Sequence, residues 1–173
     1  MYYADIKRID VANGEGVRVS LFVSGCRHHC KDCFNPEAWD FKYGKEYTED
    51  TEKQILEYLK LDHIAGLSLL GGDPLEPENQ ETVLKLVKKA KEIYPQKDIW
   101  CYTGCTLDGD ILEGKYKDNP ITQELIKNID ILVDGEFVAE QKDLKLKFRG
   151  SSNQRVIDVQ QTLKTGKIVK YIE

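Results

Sequence analysis

The sequence lacks any apolar run long enough to cross a membrane. Its longest uncharged apolar stretches, residues 19–25 and 66–72, are far shorter than the ~20 residues that a bilayer requires. The first residues also lack a basic segment followed by an apolar core, which argues against a secretory signal. These absences predict a cytoplasmic protein with no membrane partner.

Proline is scarce, at 5 of 173 residues, and no low-complexity tract or repeat interrupts the chain. The content of 40% hydrophobic and 32% charged residues is typical of a globular protein. A net charge of −5 gives no overall attraction to nucleic acid, so no nucleic-acid partner is expected. A basic stretch at 142–149 fits either a solvated strand edge, which we favour, or a surface for an acidic partner. With no linker, we expect one domain over residues 1–173.

Apolar strand patterns alternate with amphipathic helix patterns along the chain. The predicted strands cover 17–23, 66–70, 98–103 and 129–133, with less legible candidates at 155–159 and 167–172. The predicted helices cover 48–61, 77–94 and 121–128. This alternation predicts an α/β fold with a mostly parallel sheet. In such folds functional groups gather beyond the carboxyl ends of the strands.

The arrangement of the five cysteines indicates metal chemistry rather than disulfides. Cys26, Cys30 and Cys33 fall within eight residues, a clustering that in a cytosolic chain favours metal binding. A fourth cysteine at matching spacing is missing, so the site has either an open coordination position or a ligand from elsewhere. A structural zinc site completed by His28 or His29 is the alternative that these residues leave open.

The pattern Cys-x3-Cys-x2-Cys at 26–33 resembles the cluster-binding motif of the radical S-adenosylmethionine superfamily. The resemblance implies a 4Fe–4S cluster on Cys26, Cys30 and Cys33, with S-adenosylmethionine held by the fourth iron. It also implies a small, incomplete βα barrel, open on one side. The cluster and cofactor carry the chemistry, so no side chain is assigned as catalytic. The superfamily usually has an aromatic residue where this chain has Asp32, and Phe34 is expected to cover the adenine or the cluster instead.

Further segments resemble the activases of anaerobic ribonucleotide reductases. The resemblance runs from about Asn13 to Arg155 and includes the Cys-Phe-Asn run after the cluster loop. Residues 71–74 resemble the motif Gly-Gly-Glu-Pro, which holds the amino group of the cofactor, with Asp73 in place of glutamate. The segments 132–137 and 148–155 resemble the subfamily most closely. The implied cofactor contacts are Asp32, Phe34, Asn35, Gly71, Gly72, Asp73, Pro74, Thr103, Gly104 and Asp134.

The function implied by this resemblance is an oxidoreductase that activates anaerobic (class III) ribonucleoside-triphosphate reductase. Reductive cleavage of S-adenosylmethionine gives methionine and a 5′-deoxyadenosyl radical, which generates a glycyl radical on the reductase. A low-potential donor such as flavodoxin is the expected source of the electron. The alternatives are an activase of another glycyl radical enzyme, of the formate lyase type, and a non-catalytic zinc-stabilised binding module. Residues 151–153 are expected either to bind the reductase or to stabilise the end of the barrel.

Overall fold

The computed structural model describes residues 1–173 and contains one open sheet of eight strands. The strands are β1 (Tyr2–Asp10), β2 (Val17–Val23), β3 (Lys45–Glu46), β4 (Ile64–Gly71), β5 (Asp98–Tyr102), β6 (Ile131–Asp134), β7 (Arg155–Asp158) and β8 (Lys170–Ile172). Their order across the sheet is β3-β1-β2-β4-β5-β6-β7-β8. The α/β class is therefore confirmed.

The prediction of a mostly parallel sheet is wrong. The central strands β2, β4, β5 and β6 are parallel, but the four pairings outside them are antiparallel. For β1 and β2 the reason is the length of their connection, because a parallel neighbour needs a crossover of a dozen or more residues. The turn at 11–16 is too short for that, so β1 and β2 pair as a hairpin. The apolar patterns indicated the central strands and missed β1, whose outer face is charged and exposed.

Four α-helices accompany the sheet. They are α1 (Glu49–Leu59), α2 (Pro77–Ile93), α3 (Pro120–Lys127) and α4 (Val159–Thr165). The capping box of α1 joins Thr48 and Thr51. Asn119 caps α3, and the segment at 105–119 contains a short π-helix at Leu107–Leu112. No helix is both long enough and apolar enough to span a bilayer.

Each central strand presents one side chain to the helices and the next to an open cavity. Leu69, Cys101 and Leu132 belong to the main core of 25 buried residues, which the helices cover. Their neighbours Leu70, Tyr102 and Val133 line the cavity on the opposite face. Successive residues of a strand point to opposite faces, so a continuous apolar run serves a core and a cavity together.

A fully buried arginine crosses the cavity face at the start of β2. Arg18 Nε donates to Ser68 Oγ at 2.7 Å, and Arg18 Nη2 pairs with Asp98 Oδ1 at 2.7 Å. The side chain of Arg18 is 0% exposed, so its charge depends on these partners for compensation. The interaction ties β2 to β4 and β5, and thus aligns the strands whose other ends form the site.

Truncation of the core tests this two-faced packing. Leu69→Ala removes a fully buried side chain from the helix-covered face and should lower the free energy of unfolding by about 2–5 kcal/mol. Leu144→Ala is the control, because Leu144 is 87% exposed and surface changes usually stay within about 0.5 kcal/mol. Urea titration measures both, and equal losses would contradict the placement of Leu69 in the buried core.

Candidate functional site

A cavity of about 520 Å³ lies at the carboxyl ends of the four parallel strands. Its floor is formed by strand side chains, among them Phe22, Leu70 and Tyr102. Its wall is formed by the loops that follow β2, β4, β5 and β6. The predicted gathering of strand ends is confirmed, and it brings segments far apart in the sequence to one place.

The three clustered cysteines all line this cavity. Cys26, Cys30 and Cys33 are half-buried and free of disulfides, whereas Cys101 and Cys105 are buried and do not line the cavity. Burial raises the pKa of Cys26 to about 11 and also raises the pKa of Cys30. Metal binding must therefore displace protons from these thiols.

The three cysteines do not form one compact group of ligand atoms. One group of possible ligands, Cys26, His28 and Asp73, lies with all its ligand atoms within 4.8 Å of one another. It contains one of the three thiols, and Cys30 and Cys33 lie outside it. A tetrahedral zinc ion with bonds near 2.3 Å would hold its thiolates only ~3.8 Å apart. Three thiols that line one cavity match the ligand type of an iron–sulfur cluster, which binds each cysteine through a different iron.

The three residues between the first two cysteines anchor the loop to three different parts of the fold. The backbone N–H of Arg27 donates to Glu76 Oε1 at 3.0 Å, and its guanidinium pairs with Glu76 and Glu78 at the start of α2. The ring of His29 stacks on Trp39, with centroids 4.3 Å apart. His29 has a φ of 50°, in the left-handed region, so the loop depends on such contacts to keep its shape.

His28 makes the most extensive of these contacts. Its Nε2 lies 2.9 Å from Asp73 Oδ2 and 3.9 Å from Cys105 Sγ, and its Nδ1 lies 3.7 Å from Glu136 Oε1. The hydrogen bond to Asp73 raises the pKa of His28 to about 11. Sequence reasoning assigned His28 no role beyond the zinc alternative. No local pattern could have revealed this role, because the partners lie 45 and 77 positions away.

The buried carboxylate of Asp73 receives several donors at once. Besides His28, it accepts from Thr103 Oγ1 at 3.0 Å, from Gly104 N at 2.9 Å and from Leu75 N at 2.8 Å. Its side chain is therefore occupied by the protein itself. The backbone of Gly71 and Gly72 beside it faces the cavity. Gly71 has a φ of 120°, and a side chain there would strike the backbone of Val23.

The structure places most, but not all, of the predicted cofactor contacts on the cavity. Asp32 is an exposed residue at a turn, and Pro74 is buried beside the wall. Asp134 points to the helix-covered face because strand alternation gives the cavity position to Val133. Its carboxylate pairs with Arg155 at 2.6 Å and accepts from Leu107 N at 2.8 Å. The predicted residues that line the cavity are Phe34, Asn35, Gly71, Gly72, Asp73, Thr103 and Gly104.

Residues 149–154 form a network of hydrogen bonds that closes the end of the sheet. Gln154 Oε1 accepts from Gly150 N and Ser151 N, and Gln154 Nε2 donates to Gly135 O at 3.0 Å. Asn153 Nδ2 donates to Glu136 O at 2.8 Å. Of the two roles expected for residues 151–153, these contacts favour the structural one. They also hold Gly135, which lines the cavity where Asp134 does not.

Comparisons with known proteins agree with this geometry. A family model described as a 4Fe-4S single cluster domain matches residues 12–157. The anaerobic ribonucleoside-triphosphate reductase-activating protein of Vibrio cholerae is 46% identical over 156 residues, which cover 89% of this chain and 96% of that protein. The proteins of the same name from Escherichia coli K12 and Enterobacteria phage T4 are 42% and 40% identical, over 90% of this chain and 97% and 93% of their own lengths.

The contact between His28 and Asp73 predicts a pH-dependent stability of the metal-free protein. A pKa raised from 6.5 to about 11 means that the folded state favours the charged imidazole. This stabilisation is complete below pH 6.5, falls as the pH rises above it, and is lost near pH 11. His28→Gln keeps a donor without the charge, so its deficit in free energy of unfolding should shrink between roughly pH 6 and pH 9. Urea titrations measure this deficit, and a deficit that grew with pH would refute the stabilising contact between charged His28 and Asp73.

Proposed function

This chain belongs to the family of anaerobic ribonucleoside-triphosphate reductase-activating proteins, and we propose that it is a radical S-adenosylmethionine enzyme that generates a glycyl radical on such a reductase. The observation that supports this activity best is the set of three free thiols on one cavity wall, with the other two thiols kept off it. Three cysteine ligands leave one iron of a 4Fe–4S cluster free to bind a cofactor.

Cys26, Cys30 and Cys33 would hold the cluster. When bound, the cluster and S-adenosylmethionine supply a 5′-deoxyadenosyl radical, by one-electron cleavage of the cofactor to methionine, to take a hydrogen atom from a reductase glycine. The backbone at Gly71 and Gly72 and the residues Thr103 and Gly104 would bind and orient the cofactor. Phe34 and Asn35 would cover it, because both line the cavity beside Cys33. Asp73 would hold the wall together rather than bind the cofactor directly.

The whole chain, residues 1–173, would act as a single radical S-adenosylmethionine domain of the incomplete barrel type. The parallel centre of the sheet supplies the βα part of such a barrel, and β3 and β8 are its open edges. An open side suits a substrate that is itself a large protein. A low-potential electron donor such as flavodoxin would reduce the cluster, and the reaction would take place in the cytoplasm. Neither a nucleic acid nor a membrane would be a partner.

Apolar side chains at the cavity mouth support a protein substrate. Phe34 and Leu144 both line the cavity, yet they are 68% and 87% exposed. Phe34 packs against Phe137, with ring centroids 5.0 Å apart, and Lys142 Nζ lies 5.5 Å from the centre of the Phe34 ring. Exposed apolar groups with a polar rim are typical of surfaces that bind another protein. The basic stretch at 142–149 thus borders the cavity rather than a remote strand edge.

Removal of one cluster ligand should abolish cofactor cleavage. Cys30→Ala, reconstituted with iron and sulfide without oxygen, should lose bound iron and form no 5′-deoxyadenosine, because two thiols cannot hold the cluster. Cys101→Ala is the matched control, since Cys101 is fully buried in the core and should leave the iron content unchanged. Iron analysis and chromatography of the reaction products measure both. Stoichiometric zinc in the unaltered protein, with loss of folding in Cys30→Ala, would instead identify a zinc-stabilised module.

Electron paramagnetic resonance identifies the substrate. After incubation with this protein, a reductant and S-adenosylmethionine, the anaerobic reductase should show the signal of a glycyl radical. A formate lyase of the glycyl radical type, treated in the same way, should remain silent. A glycyl radical signal on the lyase and none on the reductase would instead identify the chain as an activase of the formate lyase type.

A further inference from the structure

The chain contains a fourth thiol close to the cluster loop, and His28 contacts it. Cys105 follows β5 and is 2% exposed, with its Sγ 3.9 Å from His28 Nε2. A ring nitrogen of His28 also lies within 4.8 Å of Cys26 Sγ. His28 lines the cavity, whereas Cys105 does not. Seen from the cavity, the imidazole therefore covers this additional thiol.

We propose that His28 is a positioning residue that keeps Cys105 out of the cluster site and so preserves the open iron. The proposal rests on the proposed function, because an open iron matters only if a cofactor binds there. Iron–sulfur clusters readily take four cysteine ligands. A fourth thiolate on the cluster would close the position that S-adenosylmethionine needs.

The imidazole is held in this place from several sides. Its Nε2 pairs with the buried Asp73, and its Nδ1 faces Glu136 Oε1 at 3.7 Å. The ring also lies against Gly104, where a Cβ atom would come within 2.6 Å of His28 Cδ2. Gly104 therefore provides the space that the ring occupies. With a smaller residue at position 28, the space next to Cys26 would be free for the thiol of Cys105.

The backbone of Cys105 is fixed, so a change of side-chain conformation is the movement that the barrier must prevent. Its N–H donates to Thr103 Oγ1 at 3.1 Å, and its carbonyl accepts from Gly135 N at 3.0 Å. Both Thr103 and Gly135 line the cavity, so the residue is attached directly to the cavity wall. A rotation of the Cys105 side chain is therefore the movement that would bring this thiol toward Cys26, and the His28 imidazole lies against both residues.

Four variants are compared in the first measurement: His28→Ala, His28→Gln, Cys105→Ser and the double variant His28→Ala/Cys105→Ser. The first measurement is the change that S-adenosylmethionine causes in the electron paramagnetic resonance spectrum of the reduced cluster. His28→Ala should lose this change, and the double variant should regain it, since serine is a poor substitute for a thiolate. His28→Gln fills the space and donates to Asp73, so it should respond as the unaltered protein does. Cys105→Ser alone should also respond.

The second measurement needs neither cluster nor cofactor. Iodoacetamide treatment of the folded, metal-free protein, followed by mass spectrometry, should leave Cys105 unmodified in the unaltered protein and modified in His28→Ala. His28→Asn, which is shorter but keeps a donor, provides a second and milder opening of the same barrier, and should give intermediate modification.

Two results would overturn the proposal. One is a normal response to S-adenosylmethionine in His28→Ala, and the other is a double variant as unresponsive as His28→Ala alone. A response missing from the unaltered protein would count against the proposed function instead. The alkylation comparison would then still decide whether His28 shields Cys105, because it does not depend on the cofactor. Equal alkylation of Cys105 with and without His28 would refute the shielding.

Discussion

The buried carboxylate of Asp73 is the interaction on which the site depends. Asp73 itself follows β4, and it binds the cysteine loop by its contact with His28. It also accepts hydrogen bonds from Thr103 and Gly104, which follow the neighbouring strand β5. A carboxylate that is 1% exposed is stable only when its oxygens are hydrogen-bonded, and here four groups meet that need. The cysteine loop has no regular secondary structure of its own, so this anchor and those of Arg27 and His29 decide where the thiols lie.

Sequence reasoning succeeded where a local pattern carries the information. The apolar runs identified β2, β4, β5 and β6, and the spacing of Cys26, Cys30 and Cys33 singled out a loop that lines the cavity. It failed where the outcome depends on distant partners. β1 carries charged, exposed residues, and its place beside β2 follows from the short turn after it. Asp134 resembled a cofactor contact, but strand alternation points it at Arg155. The role of His28 is visible only once the fold brings Asp73 and Cys105 beside it.

The alternation of the central strands links fold to function. Because Leu69, Cys101 and Leu132 face the helices, their neighbours are free to line a cavity without loss of the core. The same alternation keeps the Cys101 thiol away from the cavity, and burial beneath His28 does so for Cys105. The cavity is thus lined by three of the five thiols of the chain.

The central claim is that three thiols hold a 4Fe–4S cluster with one iron open to the cofactor. Mössbauer spectroscopy of the protein reconstituted with 57Fe without oxygen, before and after addition of S-adenosylmethionine, tests this claim most directly. The account predicts that the cofactor changes the signal of one iron of the cluster and leaves the other three unchanged. A spectrum that the cofactor does not alter, with all four irons equivalent, would contradict it.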